Sequence, residues 1–138
     1  MRQQIPARCI THTSNPLIVL EERRSKITFH NPQRRDVTMI KVDGCAITDG
    51  PRCDHLLKDE GSTEHFIELK GTDVRHAIEQ LEASIKQLSD DIAKAKYSFV
   101  ITTHVPKSDT RIQRAKPRFH RDYNCELIVK NSPHTVTI

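Results

Sequence analysis

Three residues in this chain have the types and spacing for hydrolytic chemistry on a phosphodiester: Asp54, Glu68 and Lys70. Asp54 lies on one apolar run, Cys53 to Lys58, and Glu68 and Lys70 stand two apart on the next, Glu64 to Lys70. The intervening Asp59-Glu60-Gly61-Ser62-Thr63 is turn-forming, so the two runs read as an antiparallel hairpin. Period two then puts Phe66, Glu68 and Lys70 on one face of the second strand and Ile67 and Leu69 on the other. Cleaving a phosphodiester requires a neutralised phosphate, an activated water and a stabilised leaving oxygen. Two carboxylates from adjacent strands can hold Mg²⁺ or Mn²⁺ with open water positions, and the Leu69 carbonyl can add an oxygen ligand. Lys70 can orient the water or stabilise the pentavalent charge. Taken alone, a carboxylate two residues from a lysine is more often an ion pair on a half-exposed strand, worth little.

The elements that must position these residues are short. Ile27 to His30 reads as a strand broken by Asn31-Pro32, and Val37 to Val42 as a β-branched strand ending at Asp43-Gly44. Cys45 to Thr48 is a further short run. Leu17 to Leu20 is either a strand end or a short helix, and residues 1–15 are polar, irregular and expected to be partly disordered. After the hairpin, Gly71 ends the strand, Thr72 can cap a helix and Asp73 suits its positive end. Val74, Ile78, Leu81, Ile85, Leu88 and Ile92 form one apolar stripe, predicting a helix to about Lys94 unless Ser89-Asp90-Asp91 interrupts it.

Tyr97 to Thr103 is a buried-type strand. Ser108 caps a second helix with Ile112, Ala115 and Phe119 inward, which Pro117 should kink or split. Cys125 to Val129 and Thr135 to Ile138 are closing strands. The order predicts an α/β fold, a mixed sheet flanked by helices, in one domain spanning 1–138: a motif-bearing core at 37–103, then a basic helix and closing strands at 104–138.

With 36% hydrophobic and 29% charged residues, the core is thin, and a homodimer or a larger protein complex would help bury it. The net charge of +4 and a pI near 9.0 suit a polyanion. Two Tyr, four Phe and no Trp argue against a single-strand binder built on aromatic stacking. No segment is long and apolar enough to span a membrane, and Leu17 to Leu20 is too short for a signal sequence, although the acid-free start with Arg2 and Arg8 has a transit-peptide flavour. A cytoplasmic location is expected, with Cys9, Cys45, Cys53 and Cys125 as free thiols. A metal held by Cys45, Cys53 and His55 is a weaker alternative.

Around the hairpin, the succession of an Asp-bearing strand, Glu68-Leu69-Lys70, Gly71, an amphipathic helix and another strand resembles the PD-(D/E)XK nuclease superfamily, over roughly residues 37–103. The resemblance implies a restriction-endonuclease-like core with Asp54 and Glu68 as Mg²⁺ or Mn²⁺ ligands, Leu69 contributing its carbonyl, and Lys70 as the catalytic lysine. Cys53 stands where the family usually has proline. Glu22, or its neighbour Glu21, is the candidate for the acid that many members add from an N-terminal helix, and Gln80 matches a helix glutamine that some branches place near the site.

Arg111, Arg114 and Arg118 share a helix face and, with Lys116 and Lys107, make a candidate nucleic-acid interface. Arg23, Arg24, Arg34 and Arg35 form a second basic group, and His55 and His65 lie beside the carboxylates. The function expected is a metal-dependent nuclease, with DNA the favoured substrate. The alternatives are a catalytically silent nuclease-fold adaptor subunit, or an interaction domain dimerising through the long helix at Ile85 and Leu88.

Overall fold

Short β-branched runs and two amphipathic stretches assemble into three layers in the computed structural model, which describes residues 4–70, 74, 76–105 and 108–138. The middle layer is a mixed six-stranded sheet in the order β1 (Ile10–Thr13), β4 (Val37–Lys41), β5 (His55–Lys58), β6 (Glu64–Leu69), β7 (Lys96–Thr102) and β8 (Cys125–Asn131). β1, β4, β5 and β6 pair antiparallel, whereas β6, β7 and β8 run parallel. Parallel neighbours need crossovers, supplied by α1 (Ala77–Leu88) and α2 (Thr110–Tyr123).

Two crossovers stepping the same way across a sheet place both helices on one face. There Leu56, Phe66, Val100 and Leu127 pack against Leu81, Ile85 and Leu88 of α1 and Ala115 and Phe119 of α2. The other face, with Leu57, Ile67, Leu69, Phe99 and Ile101, packs on Ile18, Ile27 and Phe29 of a second sheet. That sheet orders β2 (Leu17–Glu22), β3 (Ser25–His30) and β9 (His134–Thr137), with β2 antiparallel and β9 parallel to β3. Covered on both faces, β6 is buried at every position, unlike the half-exposed strand that an isolated ion pair would occupy.

The sequence expectations hold for the α/β class and fail in identifiable places. Residues 4–15 are not disordered: they form a 3₁₀ turn at Ala7–Cys9 and then β1. Cys9 and Cys45 form a disulfide, so the four cysteines are not all free thiols, and Cys45 is removed from any metal set with Cys53 and His55. Leu17 to Leu20 is strand, not helix. Cys45 to Thr48 lies in a turn region whose regular pairing is limited to a single bridge, Asp43 to Ile47.

The stripe helix stops at Leu88 because Glu64 competes for the chain beyond it. Ser89 Oγ donates to Glu64 Oε1 (2.6 Å) and the Asp90 N–H to Oε2 (2.8 Å). Ile92 is left outside the helix, 38% exposed. Ile85 and Leu88 are core, which removes the dimerising-stripe alternative. The cap expected from Thr72 and Asp73, with Gly71 before it, falls outside the described residues, as do Arg2 and Lys107.

Asp109, not Ser108, caps α2, its carboxylate accepting from the Arg111 and Ile112 N–H groups. Pro117 does not split α2, which runs unbroken from Thr110 to Tyr123. The carbonyl it leaves without a donor is that of exposed Gln113, while Ala115 and Phe119 on either side of the proline stay buried. The Cys9–Cys45 bridge constrains the strand β1 and the turn before the Asp54 strand. Cys45→Ser is expected to lower the unfolding free energy by about 2–4 kcal/mol in urea titration, and dithiothreitol on the unaltered chain to do the same.

Candidate active site

Asp54 enters the site through an irregularity in the sheet. Its N–H donates to the Ile67 carbonyl on the β6 side (3.0 Å), while its own carbonyl accepts from Val42 and Asp43 on the β4 side (3.0 and 3.3 Å). In a regular strand both groups of one residue face the same neighbour, so the chain bends at Asp54 as at a β-bulge, a device that re-aims a side chain. The carboxylate, 2% exposed, turns to the end of β6 and accepts the Leu69 N–H through Oδ2 (2.8 Å).

The preceding residue is held from behind. The Cys53 N–H donates to Oγ of Ser84, a buried serine on α1 (2.8 Å). A proline at this position has no N–H to give, so the cysteine that departs from the family pattern has a structural use here. Burial pushes the Cys53 thiol up to about 12, which leaves it inert as a nucleophile.

Glu68 and Lys70 come from β6 and its continuation on the helix-covered face, as period two requires. Lys70 Nζ lies 3.0 Å from Glu68 Oε2. This is a charge contact without hydrogen-bond alignment: both Glu68 oxygens are buried with no hydrogen-bond partner among the described residues. Burial, and then the nearby Asp54 charge, push the Glu68 carboxyl up to about 8 against the pull of Lys70 and Arg23.

Arg23, which the sequence placed only in a second basic group, belongs to the site. Its Nη1 donates to Asp54 Oδ1 and Oδ2 (3.2 and 3.3 Å) and to the Leu69 carbonyl (3.2 Å). Those are two of the three groups assigned to a divalent cation. Arg23 and Arg24 are the two-residue turn of the β2–β3 hairpin, with φ of 50° and 67°. Asn-Gly is the usual occupant of such a turn, and each arginine costs roughly 1–2 kcal/mol there. Ser25 Oγ ties the base of the hairpin to the Lys70 carbonyl. Nothing in the sequence order announced this contact, because Arg23 reaches Asp54 only after the second sheet docks.

The remaining candidates divide. Glu22 lies on β2, not on an N-terminal helix, and pairs with His55 Nε2 at 2.7 Å. Gln80 is near the site: it lines a cleft of about 230 Å³ with Arg23, Asp54 and Arg52, and its Oε1 is buried without a hydrogen-bond partner among the described residues. His65 is not a neighbour of the carboxylates. It points to the opposite face, where it meets Asp59 (3.1 Å) and stacks on Tyr97 in a larger cleft of about 490 Å³. That cleft holds none of the expected catalytic side chains.

Arg111, Arg114 and Arg118 do share a groove, of about 320 Å³, but Glu79 and Glu82 line it too. Glu82 holds Arg118 at 2.7 Å, so this basic face is partly neutralised. Lys116 is exposed outside that groove. Arg34 and Arg35 lie in the β3–β4 connection rather than beside Arg23.

As a metal centre the donor set is small: no group of three or more His, Cys, Asp or Glu side chains capable of holding an ion occurs among the described residues. Two carboxylates and one carbonyl are present, with unpartnered Glu68 oxygens and a guanidinium nitrogen already bound at the Asp54–Leu69 edge. Hard oxygen donors around a resident positive charge fit a cation of the Mg²⁺ type. Comparison of the chain with protein-family models, curated proteins and solved structures returns no match.

Two outcomes follow. Burial raises the Glu68 carboxyl to about 8 in the folded state, above the ordinary 4.5 of the unfolded chain, so its contribution to stability falls as pH rises through that window. Glu68→Gln is therefore expected to be more stable than the unaltered chain by a few kcal/mol at pH 8, at about 1.4 kcal/mol per pKa unit, and nearly equal to it at pH 4. Paired urea titrations across pH 4–9 would read the difference. Separately, Cys53→Pro should cost about 1–3 kcal/mol in the unaltered chain by stranding Ser84, and measurably less in a Ser84→Ala background.

Proposed function

We propose that this protein is a divalent-cation-dependent nuclease of the PD-(D/E)XK kind, with DNA the favoured substrate. The observation that carries the reading is the convergence of the Asp54 carboxylate, the Glu68 carboxyl, the Leu69 carbonyl and the Lys70 ammonium at the end of one buried strand, around a bound positive charge. Asp54, Glu68 and Leu69 would hold Mg²⁺ or Mn²⁺, which when bound supplies charge neutralisation on the phosphate and a more acidic water. Lys70, 16% exposed, reaches from Glu68 toward solvent, where it can orient the attacking water or donate to the developing charge. Gln80 lines the cleft beside Asp54, although its carbonyl oxygen is itself buried. Ser84 and the bend at Asp54 act as positioning elements. Arg111, Arg114 and Lys116 are the exposed cations available to the phosphate backbone.

One observation favours the second reading, a silent nuclease-fold adaptor: Arg23 already satisfies Asp54 and Leu69. A partner chain or second copy has a surface in edge strand β2, where Leu17 and Val19 are 60% and 53% exposed. In this reading the protein acts in the cytoplasm. Among the described residues no helix is long and apolar enough to cross a membrane. The Cys9–Cys45 bridge is out of character with a reducing compartment and weighs against that location.

The test is cleavage of labelled linear, nicked, branched and single-stranded DNA, and of RNA, with Mg²⁺, Mn²⁺ or EDTA. Cutting should require the cation and fall by about 10²–10³ in Asp54→Asn and Lys70→Ala proteins that retain the native circular dichroism spectrum. A folded wild type that cuts nothing would select the adaptor reading.

A further inference from the structure

Arg23 is a cation placed where the proposed site needs one. One nitrogen of its guanidinium reaches both oxygens of Asp54 and the Leu69 carbonyl at 3.2–3.3 Å. It is not buried like its partners: its side chain is 49% exposed, whereas that of Asp54 is 2% exposed. Its backbone is in the left-handed region, as is that of Arg24, in a turn that glycine or asparagine would occupy without strain. Beside it, both buried Glu68 oxygens lack a hydrogen bond among the described residues and face only the Lys70 ammonium at 3.0 Å, so the guanidinium covers the Asp54–Leu69 edge of the oxygen cluster and not the Glu68 edge. A side chain half in solvent, on a strained two-residue tip, can leave without breaking either sheet.

We infer that Arg23 is a built-in counter-cation that competes with the divalent metal for Asp54 and the Leu69 carbonyl, so that metal entry requires the tip of the β2–β3 hairpin to let go. The inference rests on the nuclease reading of the same site. Nη1 contacts both Asp54 oxygens and the Leu69 carbonyl, so a metal ion taking the same oxygens needs the position the guanidinium nitrogen holds, and occupation is exclusive. The apparent metal affinity is then the intrinsic affinity scaled by the fraction of molecules whose arginine is out. The device keeps Asp54 paired when the metal is absent, and it ties metal loading to a movable surface loop.

The experiment is calorimetric titration of Mn²⁺ into the full chain at fixed pH, for wild type, Arg23→Ala, Arg23→Lys and Asp54→Asn, each checked for folding by circular dichroism. Arg23→Ala is expected to bind Mn²⁺ about tenfold tighter or more, tenfold corresponding to an arginine that is in about nine-tenths of the time. Arg23→Lys should lie near wild type, and Asp54→Asn should lose most binding. Arg23→Gln, which keeps a donor and loses the charge, reads the same competition if truncation to alanine unfolds the chain. Equal or weaker Mn²⁺ binding by a folded Arg23→Ala protein, with wild-type binding intact, overturns the competition and leaves the metal site standing. Absence of Mn²⁺ binding in both wild type and Arg23→Ala overturns the competition together with the nuclease reading, and makes Arg23 a permanent structural partner.

Discussion

The organisation of this molecule depends on two acidic side chains brought together at the end of a strand that water does not reach. β6 is covered by helices on one face and by a second sheet on the other, so Glu68 has no solvent to disperse its charge. A buried carboxyl in that position must either keep its proton or face a cation. Lys70 supplies one positive charge along the strand and Arg23 a second from across the layers. The site is thus defined less by its acids than by how their charge is answered.

The surrounding architecture holds that arrangement from both sides. Ser84 fixes the residue before Asp54 from α1, and Glu64, at the opposite end of β6, fixes the end of that helix through Ser89 and Asp90. Buried Lys96 does the same for α2: its ammonium donates to the Tyr123 carbonyl at 2.6 Å and to Ile92 at 2.8 Å, a cation set against the negative end of the helix. The helices and the carboxylates are therefore tied to one another. The second sheet reaches the site through the β2–β3 hairpin, whose tip carries the half-exposed Arg23.

The outer surface is less polarised than its composition suggests. A net charge of +4 predicts a basic face, yet Arg118 is spent on Glu82, which also accepts the Tyr123 hydroxyl at 2.7 Å. Helix-face arginines that read as one ridge in the sequence split into exposed and internally paired members once α1 supplies acids from across the groove. The histidines find partners in the same way. His55 and His65 both lie on the sheet face turned to the second sheet, away from Glu68, where they meet Glu22 and Asp59.

The periodicities of the chain determined a good deal on their own. Alternation along Glu64 to Leu69 put Phe66 and Glu68 on one face and Ile67 and Leu69 on the other, and the stripe through Leu81, Ile85 and Leu88 marked the buried face of α1. These are local properties, set by the two-residue repeat of a strand and the 3.6-residue repeat of a helix, and they survive any tertiary arrangement. What the tertiary structure decided are the events between distant segments. The stop of α1 at Glu64, the Cys9–Cys45 bridge, the bend that aims Asp54, the stacking of buried His65 on Tyr97 and the arrival of Arg23 each join residues far apart in the chain. No periodic pattern encodes which hairpin tip will overhang which strand end. That is settled by how two sheets pack, because the charge of a buried carboxylate is answered by whichever cation the packing brings within reach.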